Sequence, residues 1–128
     1  ILGEECVSKS VLIVEDEPFI IEALSFLLTR EGLNVSTFAD GEGCVEHVQS
    51  IKPNLVILDM MLPNKSGMQI LEELRAIDGF SNLPVLMLTA KGQKKDRAAA
   101  EEAGVSLFMT KPFANKEIIK NVHRLLEK

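Results

Sequence analysis

Short apolar runs and amphipathic stretches alternate along the chain, and turn-forming or polar residues bound each apolar run. The central run, Leu55-Val56-Ile57-Leu58, leads into Asp59 and then into a Pro-Asn-Lys-Ser-Gly turn. An uninterrupted apolar run is typical of a strand that is buried on both faces, in the middle of a parallel sheet. The pattern predicts five strands, over residues 10–14, 34–38, 55–59, 85–89 and 105–110. The second is the least apolar, which suits a sheet edge.

Amphipathic stretches after the strands predict helices. Pro18 suits the first helical position, and Gly32 suits the residue just beyond the helix end. We expect Asp40 to cap a second helix. The apolar positions of that helix are Val45, Val48 and Ile51. Ser66 and Gln69 form the pattern of a capping box, which predicts the start of a third helix.

The last two predicted helices differ in their apolar sides. The fourth, which Gly104 ends, offers only Ala98, Ala99, Ala100 and Ala103. Burying alanine removes little apolar surface, at ~0.8 kcal/mol per CH₂, so we expect this helix to be held loosely and to respond to events at neighbouring strand ends. An exposed amphipathic helix without such a role is the alternative. The fifth helix is predicted over residues 115–127. Its apolar positions are Ile118, Ile119, Val122, Leu125 and Leu126.

Alternation of strands and helices with short connections predicts an α/β fold. Such a chain forms a parallel sheet with right-handed crossovers and helices on both faces, which is a doubly wound, three-layer α/β/α domain. The length of 128 residues predicts one domain. We assign that domain to residues 10–128 and interpret residues 1–9 as an N-terminal extension.

Composition and charge narrow the class of protein. Hydrophobic residues make up 46% and charged residues 26%, as in ordinary globular proteins, and no apolar run approaches the ~20 residues of a membrane helix. A net charge of −5 and the absence of Tyr and Trp argue against nucleic-acid binding by this domain. Two isolated cysteines, Cys6 and Cys44, fit neither a disulfide framework nor a zinc site. With no leader peptide recognised, we expect a cytoplasmic protein without membrane contact.

Polar side chains follow four of the predicted strands. An acidic run, Glu15-Asp16-Glu17, follows the first strand, and Asp59 ends the third. In a parallel sheet these ends lie at one edge, where ligand sites of open α/β sheets form. Converging carboxylates repel one another unless a cation joins them, and oxygen ligands without His or Cys suit Mg²⁺ or Mn²⁺.

Thr89 ends the fourth strand and Lys111 follows the fifth. With a metal ion, a hydroxyl and an ammonium group would hold a phosphoryl group against Asp59, whose carboxylate would be the nucleophile. Each residue alone also has an ordinary structural explanation: an aspartate that caps a loop, an acidic helix N-terminus, or a lysine in a surface turn. The combination at consecutive strand ends favours the chemical interpretation.

These motifs resemble the receiver domains of two-component response regulators. The matching segments, spread over residues 11–126, are Glu15-Asp16, Asp59 with Pro63 and Gly67, Thr89-Ala90, and Lys111-Pro112-Phe113. The resemblance implies a flavodoxin-like fold with strand order 2-1-3-4-5. It also implies a phosphoacceptor signalling domain that catalyses only its own phosphorylation and dephosphorylation, rather than an enzyme acting on other substrates.

The resemblance implies a role for each matching acidic residue. Asp59 is expected to take a phosphoryl group from a histidine of a sensor kinase or a phosphotransfer protein. Glu15, Asp16 and Asp59 are expected to bind Mg²⁺, with Mn²⁺ as the alternative, together with the backbone carbonyl of Met61. Glu15 would act through a bound water.

Three further residues are expected to respond to the phosphate. Lys111, whose bond to Pro112 is expected to be cis, would contact a phosphoryl oxygen. Thr89 would move towards the phosphate and Phe108 would turn inwards, so that the surface of the fourth helix, fifth strand and fifth helix switches.

The sequence departs from the commonest receiver pattern in two ways. The acidic pair is Glu-Asp rather than Asp-Asp, and the switch aromatic is Phe108 rather than tyrosine. Met61 and Lys91 occupy the positions that tune dephosphorylation in this family. We expect them to shield the acyl phosphate and to give a long-lived phosphoform, measurable as slow decay of radiolabelled Asp59.

Partners are expected at separate surfaces. The kinase would contact the first helix near Phe19 and Ile20, and the loop of residues 112–114. Phe19 and Phe113 could equally belong to the core. An effector domain or downstream protein is implied but not identified, and neither a DNA-binding nor a catalytic domain is recognised within the 128 residues.

Three other functions compete with this interpretation. A phosphohydrolase of the haloacid dehalogenase type would require a second acid two residues after the nucleophile, where this chain has Met61. A flavodoxin-like electron carrier would require flavin-stacking aromatics and a Gly/Ser/Thr-rich loop in place of residues 15–17. A degenerate receiver that only binds partners would be expected to lack Asp59 or Lys111, and both are present.

Overall fold

A computed structural model of the chain describes residues 9–90 and 94–127. Within these residues the chain forms the five strands β1 (Ser10–Val14), β2 (Asn34–Phe38), β3 (Leu55–Asp59), β4 (Val85–Thr89) and β5 (Leu107–Thr110). The helices are α1 (Pro18–Arg30), α2 (Cys44–Ile51), α3 (Gly67–Arg75), α4 (Lys94–Glu102) and α5 (Asn115–Leu126). The proposed N-terminal extension, residues 1–9, lies outside the described part except for its last residue.

The strands form one parallel sheet in the order β2-β1-β3-β4-β5. Every residue of β3 and β4 is buried, because helices cover both faces of the sheet. β2 lies at one edge and has no fully buried residue. The predicted flavodoxin-like, doubly wound architecture is confirmed, including the position of the central strand.

Successive residues of the strands point to opposite faces and build two hydrophobic cores. On one face α1 and α5 pack on the sheet. The core residues these two helices contribute are Leu24, Leu28, Ile118, Val122, Leu125 and Leu126. On the other face α2, α3 and α4 pack on the sheet. Their core residues are Cys44, Val45, Val48, Ile70, Leu71, Leu74 and Ala100.

The ends of α1 and α3 follow the sequence signals. Gly32 lies just beyond α1 with a φ of 83°, a left-handed conformation that costs glycine little, and the Leu33 amide closes the end by donating to the Leu28 carbonyl. At α3 the Ser66 hydroxyl accepts from the Gln69 amide, and the Ser66 amide donates to the Gln69 side chain. The predicted capping box is confirmed.

The predicted start of α2 is wrong. Gly43, rather than Asp40, precedes the first helical residue. The Asp40 carboxylate instead accepts hydrogen bonds from the Glu42 amide and from the Asn64 side chain, at 2.9 Å, and so joins its loop to the turn after β3. Of the apolar positions predicted to be buried, Ile51 is exposed at the helix end.

The region of α4 and β5 also departs from expectation. β5 begins at Leu107 rather than at 105, because the Val105 amide donates to the Ala100 carbonyl and so still belongs to the helix end. Only Ala100 of the predicted alanine side is buried, and Ala98 and Ala99 face solvent. A narrow contact of this kind buries even less apolar surface than the sequence suggests.

Candidate functional site

Buried polar side chains meet at the carboxyl ends of the central strands. Asp59 ends β3 and is 4% exposed, Glu15 follows β1 and is 1% exposed, and Thr89 ends β4 with no exposed surface. The strands bring them together because β1, β3 and β4 are adjacent and parallel. Buried polar groups of this kind are rare unless they are paired or serve a ligand.

Lys111, which directly follows β5, joins this group. Its ammonium nitrogen lies 2.9 Å from Glu15 Oε2, 3.1 Å from Glu17 Oε1 and 3.5 Å from Asp59 Oδ2. Its backbone amide donates to the Thr89 carbonyl at 2.8 Å, which fixes the end of β5 against β4. The bond between Lys111 and Pro112 is cis, as predicted.

Glu15 is the centre of the acidic group. Its Oε1 accepts hydrogen bonds from the amides of Asp16 and Glu17, at 3.1 and 3.3 Å. Its Oε2 is buried and, among the described residues, accepts no hydrogen bond in good geometry although Lys111 is close. Carboxylate oxygens of Glu15, Glu17 and Asp59 lie within 4.8 Å of one another. A buried, under-satisfied oxygen in a set of oxygen donors fits Mg²⁺ or Mn²⁺.

The electrostatics of the group reflect its burial. Desolvation raises the pKa of Asp59 from 3.8 to about 7, helped by the hydrogen bond and negative charge of Glu15 and opposed by the Met61 amide and the Lys111 charge. Burial alone would lower the pKa of Lys111. The close carboxylates of Glu15, Glu17 and Asp59 outweigh it, so the pKa is raised and the ammonium keeps its charge. The Lys111 ammonium faces three carboxylates, and a metal cation would further stabilise their ionised forms.

Asp16 and Glu17 differ from what the acidic run suggested. The Asp16 side chain is exposed and is not in the group of converging oxygens, whereas Glu17 is. Sequence spacing does not show which of several consecutive carboxylates in a loop turns inwards. The acidic run of residues 15–17 is the only sequence feature that points to Glu17 as part of the site. Asp16 therefore stays a prediction as a metal ligand.

The residues around Asp59 also have observed positions. The Met61 amide donates to Asp59 Oδ1 at 3.2 Å, and the Met61 side chain is exposed. Phe108 is buried, with the Arg97 guanidinium 5.0 Å from its ring centroid. Lys91, predicted to help shield a phosphate, lies outside the described residues.

The predicted kinase-contact residues lie at this same end of the domain. Phe19, in the first turn of α1, is 87% exposed. Ile20 and Phe113 are half-buried against the core under α1 and α5. Among the described residues, no helix has the length and apolar character needed to cross a bilayer.

Comparisons with known proteins agree with this geometry. The family model for the response regulator receiver domain matches residues 11–123. TcrX, named a probable transcriptional regulatory protein of Mycobacterium tuberculosis, is 40% identical over 119 residues, which are 93% of this chain and 50% of TcrX. The chain spans about half the length of the curated relatives it matches.

Solved structures show the same fold. The BeF₃-activated N-terminal receiver domain of Klebsiella pneumoniae RstA superposes with a TM-score of 0.85 at 26% identity, covering 94% of this chain and all of that one. The receiver domain of the sensor histidine kinase PA1611 from Pseudomonas aeruginosa gives a TM-score of 0.87 at 26% identity, covering 95% of this chain and all of that one. That structure contains a magnesium ion coordinated in its active site cleft.

Proposed function

The chain belongs to the response regulator receiver domain family, the phosphoacceptor signalling domains of two-component systems, and from this premise we propose that Asp59 is the residue phosphorylated. The observation that carries the proposal is a buried aspartate at the carboxyl end of β3 with the Lys111 ammonium 3.5 Å from its Oδ2. Asp16 at the same edge is exposed, and Asp40 is half-buried with Asn64 rather than a lysine as its side-chain partner, so both lack this environment.

Asp59 has one oxygen suited to the transfer. Its Oδ1 is held by the Met61 amide, which leaves Oδ2, the oxygen facing Lys111, to attack phosphorus. A new O–P bond forms as the bond from phosphorus to the donor histidine nitrogen breaks, and the imidazole leaves with the electron pair. Lys111 and Thr89 would neutralise and hold the oxygens of the transferred group. As a signalling domain, it would catalyse only its own phosphorylation and dephosphorylation and would act on no other substrate.

We propose Glu15, Asp16, Asp59 and the Met61 carbonyl as the residues that hold Mg²⁺, with Mn²⁺ an alternative. The converging carboxylates, the under-satisfied Oε2 of Glu15 and the magnesium-containing receiver of PA1611 support this. When bound, the ion would supply positive charge to the ionised Asp59 and to the phosphoryl oxygens. Since Glu17 already converges with Glu15 and Asp59, Asp16 would have to turn inwards to replace it.

The signal would leave through α4, β5 and α5. Thr89 and Phe108 are buried, and Arg97 of α4, whose hold on the sheet is narrow, covers the Phe108 ring. A weakly packed element beside the phosphate can exist in two arrangements. Amide hydrogen exchange with and without beryllofluoride should change over residues 91–108, and an unchanged pattern there would remove this part of the proposal.

Two classes of partner are proposed. A sensor histidine kinase or phosphotransfer protein would approach the Asp59 edge, where the exposed Phe19 ring and the loop of residues 112–114 offer anchors. An effector, in the same polypeptide or in a separate protein, would read the α4-β5-α5 surface. The acidic charge of the domain leaves nucleic-acid and membrane binding to other parts of such a system.

Phosphorylation of Asp59 is tested by incubating the protein with acetyl phosphate and Mg²⁺ and measuring the intact mass. We expect a gain of one phosphoryl group that hydroxylamine removes, since acyl phosphates are labile to it. Asp59→Asn should gain nothing. Asp78→Asn, at an exposed aspartate in the turn after α3, is the matched control and should behave as the unaltered protein. An unchanged mass of the unaltered protein, while other receivers gain the group, would refute the proposal.

A further inference from the structure

The Lys111 ammonium is surrounded by three carboxylates. It has three N–H donors, and oxygens of Glu15, Glu17 and Asp59 lie 2.9, 3.1 and 3.5 Å from its nitrogen. Asp59 is the most distant of the three. Among the described residues, Glu17 accepts a hydrogen bond from this ammonium, whereas Glu15 Oε2 accepts none in good geometry. A phosphoryl oxygen that pairs with the ammonium therefore competes first with Glu17.

Glu17 differs from the other two in its exposure. Its side chain is 58% exposed, whereas those of Glu15 and Asp59 are 2% and 4% exposed. Water can solvate the Glu17 carboxylate once the ammonium leaves, but it cannot reach Glu15 in the same way. Glu17 is consequently the partner that Lys111 can give up at low free-energy cost.

The backbone of Glu17 is fixed, although its side chain is exposed. Its amide donates to Glu15 Oε1, and its carbonyl accepts from the amides of Ile20 and Ile21 in the first turn of α1. It occupies the N-cap position, yet its side chain makes no capping hydrogen bond. That side chain accepts from Lys111 instead, at 3.1 Å.

We propose that Glu17 is a positioning residue for phosphorylation: its carboxylate draws the Lys111 ammonium away from Asp59 and must be displaced before Lys111 can pair with the phosphoryl group. This inference rests on the proposed function of Asp59. It assigns to Glu17 a restraining role that sets how readily the site accepts a phosphoryl group. Since the Glu17 end of this ion pair is exposed, its removal should accelerate phosphorylation by about two- to fivefold.

The test compares three variants with the unaltered protein at Mg²⁺ concentrations shown to saturate each of them. Glu17→Gln removes the charge. Glu17→Asp keeps the charge but shortens the side chain by one methylene, so that the contact with Lys111 is lost. Glu22→Gln, at an exposed position of α1, removes one negative charge from the helix that Glu17 precedes and leaves the Lys111 contacts in place. The rate of phosphorylation by acetyl phosphate is measured by intact mass, and the side-chain NMR signal of Lys111, assigned with Lys111→Met, is followed in parallel.

We expect both Glu17 variants to be phosphorylated faster and to shift the Lys111 signal, and Glu22→Gln to do neither. A rate in Glu17→Gln equal to or below that of the unaltered protein would overturn the inference, since Glu17 would then assist the reaction. It would also be overturned if Glu17→Asp kept the unaltered rate, or if Glu22→Gln gave the same gain, because overall charge would then be the cause. If the unaltered protein is phosphorylated but these differences are missing, only the inference fails. If neither the unaltered protein nor any of these variants is phosphorylated, the assignment of Asp59 as the phosphorylated residue fails together with the inference.

Discussion

Replacing Asp59 by asparagine should stabilise the metal-free domain at neutral to alkaline pH. Asparagine has the shape of the aspartate and keeps an oxygen for the Met61 amide, which donates to Asp59 Oδ1. Its amide can donate to the under-satisfied Oε2 of Glu15. The substitution therefore removes a buried negative charge without leaving a cavity.

The magnitude follows from the pKa of Asp59. Burial raises this pKa from 3.8 to about 7, and at ~1.4 kcal/mol for each tenfold change this corresponds to an upper limit of ~4 kcal/mol for ionising the group in the folded protein. Water at the mouth of the site and small side-chain movements reduce such a cost. We expect Asp59→Asn to raise the free energy of unfolding by about 2 kcal/mol at pH ~8.

The gain should depend on pH in a defined direction. Because the pKa of Asp59 is higher in the folded protein than in the unfolded chain, the folded protein binds more protons between pH ~4 and ~7. The contribution of Asp59 to stability is therefore fully present below pH ~4 and is lost as the pH rises through ~7. The difference between Asp59→Asn and the unaltered protein should be small at the lower end of this window and largest above it.

Urea denaturation followed by circular dichroism measures this difference at both ends of the window. Saturating Mg²⁺ should stabilise the unaltered protein more than Asp59→Asn, since the ion offsets the charge that the variant lacks. The reasoning would be refuted if Asp59→Asn were no more stable than the unaltered protein at pH ~8. A gain of the same size at both pH values would refute it as well.

Three further substitutions test the local structure, each by urea denaturation. Asp40→Asn should destabilise the domain at neutral pH, because hydrogen bonds from Asn64 and the Glu42 amide lower the pKa of Asp40. The stabilising contribution of Asp40 is lost as the pH falls through this lowered pKa, so the difference should fade in acid. A variant as stable as the unaltered protein, or more stable, at neutral pH would contradict this prediction. Ser66→Ala should cost about 1 kcal/mol by removing the cap of α3, while Ser81→Ala, in an exposed turn, serves as its control and should cost little. Gly67→Ala should lower the free energy of unfolding by about 1–3 kcal/mol and slow phosphorylation, because the added Cβ would lie against the Asp59 carbonyl and 2.9 Å from the Met60 Cα. Unaltered stability would show that the turn after β3 can move aside.

Local sequence signals predicted the elements well where one interaction dominates. The run that ends in Asp59 is β3 to the residue, since only a strand covered on both faces explains four consecutive apolar side chains. Ser66 and Gln69 mark the start of α3 because both halves of a capping box lie within one turn. The alternation of strands and helices was enough for the doubly wound fold.

Elements whose boundaries or buried faces depend on contacts with residues distant in the sequence were predicted less well. Asp40 was expected to cap α2, but Asn64, from the loop after β3, provides its side-chain partner. The alanines of α4 looked equivalent along the chain, yet the rotation of that helix on the sheet buries only Ala100.

The sequence by itself determined which chemical groups this domain carries and at which strand ends they stand: carboxylates after β1 and β3, a hydroxyl at the end of β4 and an ammonium after β5. Parallel strands gather such ends at one edge, so a phosphoryl-transfer site could be predicted without coordinates. Only the tertiary structure decided that Glu17 rather than Asp16 reaches Lys111, and that Asp59 is buried deeply enough to raise its pKa. Both depend on side-chain direction and on the exclusion of water by residues far apart in the chain, which spacing along the sequence does not encode.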